Sequence, residues 1–189
     1  MITIDLAAKF AAALPYPDYL ATGTDEQKRR WTGVYDAAKL TDPQLLVVAG
    51  FIRKMHVLVV SGIWCGDCVE QVPLLARIAE ANPEKIGLRI VDRDRHRDLA
   101  DQLKMNLGDR VPVAILMSED FAFCSLFGDR TLSRYRAIAL RKLGASCPIA
   151  ITPPAAGETN ATLADWLDEF ERVQLMLRLS NRLRQIHGD

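Results

Sequence analysis

The run Val57-Leu58-Val59-Val60 ends just ahead of Trp64-Cys65-Gly66-Asp67-Cys68. A short, unbroken apolar run reads as a strand buried on both faces. The residues from Val69 to Ala81 then take up helical periodicity, so two thiols fall at the junction of a strand and a helix. A helix front carries unpaired N–H groups and the positive end of the dipole, both of which lower the pKa of the first cysteine. The second cysteine stands about one helical turn away and can reach back to resolve a mixed disulfide.

Half of a zinc site has the same Cys-x-x-Cys spacing. The other cysteines, Cys124 and Cys147, are isolated, with neither a second Cys-x-x-Cys nor a His-x-x-x-His to complete four ligands. The pair therefore reads as a redox dithiol with no bound cofactor or metal. The 24 basic and 24 acidic side chains cancel, so no general field favours nucleic acid or an anionic membrane. No window is apolar enough to span a bilayer, and the opening residues lack a secretory pattern; the expected compartment is the reducing cytoplasm.

The 189 residues fit one domain with additions. Residues 1–50 read as a helical extension. Ile4 to Leu14 is amphipathic and stopped by Pro15-Tyr16-Pro17, while Thr24 with Gln27 and Thr41 with Gln44 resemble capping boxes. This leader either covers the sheet or helps recognise a substrate. From 51 to 145 strands and helices alternate. Strands are expected at Met55–Val60 and Ile86–Val91, helices at Val69–Ala81 and Leu99–Met105, a hairpin of Val111–Met117 with Phe121–Phe127, and a helix at Leu132–Leu143. Residues 146–160 read as a connector. Thr162 with Asp165 is expected to cap a helix over 161–189, whose stripe of Leu163, Trp166, Leu167, Phe170, Val173 and Leu177 packs on the leader or forms a dimer seam.

The middle of the chain, about Phe51 to Gly144, resembles the thioredoxin superfamily in several residues at once. Trp64-Cys65-Gly66-Asp67-Cys68 follows the central strand, Pro73 matches the proline that kinks the active-site helix, Val111-Pro112 matches the cis-proline, and Gly128 resembles the late glycine. The chain is similar to a bacterial type of thioredoxin-like protein with flanking helices. The resemblance implies an α/β fold of three layers, α/β/α, around a mixed sheet. It also implies thiol–disulfide exchange in which Cys65 attacks, Cys68 resolves, and Trp64, Val111, Pro112 and Gly128 shape the substrate groove. Disulfide-containing proteins or small thiols would be substrates, and a separate reductase or a glutathione-type thiol would supply electrons. A binding or redox-sensing module without turnover is the alternative.

Two positions depart from that pattern. Val59 stands where the family buries an acid beneath the site, and Asp67 stands where proline is usual between the cysteines. Asp67 is either a replacement proton acceptor for Cys68 or a surface acid suited to a first helical turn. Two unit charges about 6 Å apart at an effective dielectric of about 20 repel by roughly 3 kcal/mol, an upper bound of about two pKa units that solvent reduces. Asp67 is thus expected to raise the Cys65 pKa and lower the reduction potential. Cys124 is expected to be a buried small hydrophobe, and Asp92 to Asp98 a solvated loop and helix start.

Overall fold

The computed structural model describes residues 2–143 and 157–188. Four helices come first: α1 (Leu6–Ala12), α2 (Tyr16–Ala21), α3 (Asp25–Ala37) and α4 (Asp42–Ala49). Both expected capping boxes are formed, Thr24 with Gln27 opening α3 and Thr41 with Gln44 opening α4. The Pro15-Tyr16-Pro17 segment does more than stop α1. Pro15 is the N-cap of α2 and Pro17 lies in its first turn, where a missing N–H costs nothing.

β1 (Met55–Ser61) is buried along its whole length, as its apolar run requires. α5 (Gly66–Ala81) carries the chain across to β2 (Ile86–Asp92), which pairs parallel with β1. After the short α6 (Arg97–Ala100), the hairpin of β3 (Val113–Met117) and β4 (Phe123–Gly128) adds antiparallel, giving the order β2-β1-β3-β4. Pro73 lies inside α5, which runs through it as one helix. α7 (Leu132–Leu143), α8 (Glu158–Leu179) and α9 (Asn181–His187) complete the described chain.

Successive strand side chains point to opposite faces, which places the layers. α1 lays Phe10 against the His56 ring, at 4.7 Å between centroids, whereas α5 brings Cys68 to Ser61. Residues 56 and 61 face opposite sides of β1, so α1 and α5 cover opposite faces of the mixed sheet. The leader also closes an edge: Leu14 exchanges backbone hydrogen bonds with Ile90 of β2, at 2.9 and 2.7 Å.

α8 begins at Glu158 behind Gly157, earlier than expected, and Thr162 is buried inside it instead of capping it. The apolar stripe is buried within the chain. Trp166, Phe170 and Val173 are fully enclosed, and Phe127 meets Trp166 edge-on at 4.8 Å. Burying each such side chain contributes roughly 1.5–3 kcal/mol. The partners of α8 are chiefly α7 and α5, with smaller contacts to α4 of the leader, to β4 and to α9. The expected connector at Cys147 and Pro148 lies outside the described residues.

Candidate active site

Ser61 ends β1, and the chain turns through Gly62, Ile63 and Trp64 into α5, with Cys65 as the N-cap. Both dithiol cysteines are free; Cys65 is partly exposed and Cys68 is buried. The turn is held from the leader, since Trp31 of α3, itself fully buried, donates its Nε1–H to the Ile63 carbonyl at 3.0 Å. The Cys68 sulfur accepts the Gly62 N–H at 3.4 Å, and the Cys65 thiol reaches the Val111 carbonyl at 3.6 Å.

Val111–Pro112 is a cis peptide, and both residues are buried beside the dithiol. Gly128, at φ 148°, lies so close behind that a Cβ there would meet the Pro112 carbonyl oxygen at 2.4 Å, which only glycine avoids. Trp64 is 48% exposed and carries the Arg93 guanidinium 4.7 Å from its ring centre. The structure thus brings Cys65 against Val111, with Pro112 joined to it by the cis peptide and Gly128 packed behind Pro112.

The Cys65 pKa is lowered to about 6. Hydrogen bonding from the Cys68 thiol is the largest cause; partial burial opposes it, and the N–H groups of Cys68 and Asp67 add to the lowering. The Cys68 thiol moves the other way, well above its ordinary value, first because it is buried and then because it faces Cys65.

Asp67 acts on Cys65 in the expected direction, but weakly. Its charge raises the pKa of that thiol and is the weakest of the named influences on it, and Arg130 at 2.5 Å and Arg134 at 3.2 Å hold the carboxylate. The net shift of Cys65 is nonetheless downward, because the hydrogen bonds outweigh this repulsion. Arg134 continues to Glu158 at the start of α8, and Arg141 meets the same carboxylate. Arg130 and Arg134 carry no spacing signal that ties them to the dithiol; the fold brings them there from the far end of the hairpin.

Gln71, buried one turn into α5, fixes that return. Its Nε2 donates to the Asp129 carbonyl at 2.9 Å, and its Oε1 accepts the Thr131 N–H at 3.3 Å. Burial pushes the Asp129 carboxyl up, but hydrogen bonds from Tyr135 and Arg110 outweigh it and hold the pKa below the usual range. Cys124 lies away on β4 and is partly exposed, since β4 is an edge strand with one open face. Among the described residues, no group of three or more His, Cys, Asp or Glu is placed to hold a metal ion, and no helix is long and apolar enough to cross a membrane.

A family model described as thioredoxin matches residues 13–136, so the pattern reaches back through α2, α3 and α4 as well as the sheet. No curated protein matches the sequence. Among solved structures, the chain is similar to a protein of unknown function from Pseudomonas aeruginosa, with TM-score 0.70 and 18% identity over 90% of this chain and 99% of that one. It is also similar to an HIV epitope-scaffold, with TM-score 0.64 and 17% identity over 86% and 98% of the two chains. At these identities the likeness concerns the fold.

Proposed function

This chain belongs to the thioredoxin family, and from that premise we propose that it is a thiol–disulfide oxidoreductase acting as a protein disulfide reductase. The observation that carries the reading is the placement of Cys65. At pH 7 a thiol with a pKa of about 6 is about nine-tenths ionised, and it stands beside the Val111 carbonyl and Pro112.

Cys65 attacks a substrate disulfide and one substrate sulfur leaves as a thiolate. Cys68 then attacks Cys65, which releases the second substrate sulfur and leaves a Cys65–Cys68 disulfide. An extended substrate segment lies along Val111 and Pro112, with Trp64 and Gly128 forming the walls of the groove. Asp67, held by Arg130 and Arg134, fixes the turn between the thiols. A thiol pKa of about 6 lies nearer the roughly 7 of thioredoxins than the roughly 3.5 of strong dithiol oxidants, which favours reduction. A separate reductase or a glutathione-type thiol returns the electrons, and the cytoplasm is the compartment that would sustain the cycle.

The test is insulin reduction with an electron donor, comparing the parent protein with Cys65→Ser. Turnover by the parent and loss of turnover in the variant are expected; equal rates would remove Cys65 from the reaction.

A further inference from the structure

The outer face of α8 carries large apolar side chains that the described residues leave open. The inner stripe of that helix is buried, so the outer leucines are surplus to the fold. Leu175 is 55% exposed and Leu179 is 76% exposed. They stand four residues apart and therefore share one side of the helix. Across a groove of about 340 Å³, α4 and the residues after it contribute Leu46, 75% exposed, and Ile52, 55% exposed. A single surface leucine needs no explanation, but four large apolar side chains about one groove form the kind of patch that marks an interaction site.

The charges of the same groove say what fits it. Glu171 and Arg178 line it from α8. The acid stands four residues before Leu175 and the base three residues after it, which is about 6 Å and about 4.5 Å along the axis. A two-fold axis across the helix near Leu175 lays a second α8 antiparallel on the first. That rotation keeps each residue on its own side of the seam and reverses the order along it. Glu171 therefore meets Arg178 of the partner subunit, the reverse pair forms as well, and Leu175 packs beside its own counterpart. The grooves of both copies fall on one side of the seam, so Leu46 and Ile52 of each flank it. A parallel pairing would instead set like charges at the same height. A face complementary to itself in this way is what an isologous contact requires, whereas a surface built for an unrelated protein carries no such symmetry.

We infer that the α4–α8 face joins two copies of this chain in an antiparallel, two-fold dimer, with Leu175 and Leu179 at the centre, Leu46 and Ile52 beside them, and two Glu171–Arg178 pairs at the rim. The contact leaves the dithiol open. Glu158, at the start of α8, is tied through Arg134 to Asp67, and Leu175 lies about 25 Å further along the helix axis. The two dithiols therefore stand toward opposite ends of the dimer.

The test is sedimentation equilibrium of the full chain in excess reductant, which removes any disulfide-linked pairs. The weight-average mass should climb from one chain toward two between about 1 and 100 μM. Leu175→Glu changes an exposed position, so it should keep the parent's helical spectrum and remain monomeric throughout. Glu171→Arg sets two cations against each other at both rims and should weaken association at least about tenfold. Combining Glu171→Arg with Arg178→Glu should restore association to within about threefold of the parent. A parent that stays monomeric at about 100 μM would overturn the dimer and leave the face to a different protein. Association of Leu175→Glu as strong as the parent's would overturn it by placing the contact elsewhere, and a double reversal no stronger than the single one would overturn the antiparallel register.

Discussion

Cys68→Ala is the most direct probe of what makes Cys65 acidic. Three influences lower that pKa: the Cys68 thiol hydrogen bond, which is the largest, and the backbone N–H groups of Cys68 and Asp67. The substitution removes the first and keeps the other two. A hydrogen bond to a charged group contributes roughly 1.5–3 kcal/mol, and one pKa unit is about 1.4 kcal/mol, so the loss amounts to about one to two units. Cys65 is only partly buried, and solvent screens part of the effect, which places the shift near one unit. The midpoint for thiolate formation should move from about 6 to about 7. The sign follows from charge: the lost donor stabilised the anion, so the thiol holds its proton to higher pH. The assay is the pH dependence of alkylation by iodoacetamide, read alongside thiolate absorbance, in a Cys124→Ser, Cys147→Ser background. A midpoint still at about 6 would refute the reasoning and assign the acidity to the backbone at the front of α5.

Asp67→Asn should lower the Cys65 midpoint by less than about one unit, since paired Asp67 exerts the weakest of the named influences on it. The same variant should lose about 1–3 kcal/mol in urea unfolding, because Arg130 and Arg134 lose their shared carboxylate. A two-unit fall would instead restore unscreened repulsion. Trp31→Phe removes the donor to the Ile63 carbonyl and should cost about 1–3 kcal/mol by the same measurement. An unchanged unfolding midpoint would mean that α3 does not hold the turn.

Local grammar carried much of the fold. The capping boxes at Thr24 and Thr41, the apolar run of β1 and the hairpin around Ser118 to Ala122 are short-range signals, and each element formed near its expected bounds. α2 was hidden because proline reads equally as a stop and as a first-turn residue, and the register of its neighbours decides which. Thr162 matched a cap by spacing, but Gly157 and Glu158 begin the helix sooner. In the site, the dithiol and Val111-Pro112 were legible because adjacent residues carry the chemistry. Arg130, Arg134 and Gln71 were not, since their roles arise only when distant segments meet. The sign of the Asp67 effect was legible from its charge, whereas the hydrogen bonds that outweigh it were not.

The carboxylate of Glu158 has a reach beyond its own helix. Through Arg134 it is coupled to Asp67, and on its other side it grips Arg141. The turn bearing the nucleophile and the first residues of α8 are thus fastened by one electrostatic strap, although far apart along the polypeptide. Added salt should loosen that strap first at its exposed end, where Arg141 meets Glu158, and least at the sheltered Arg134–Asp67 link beside the dithiol.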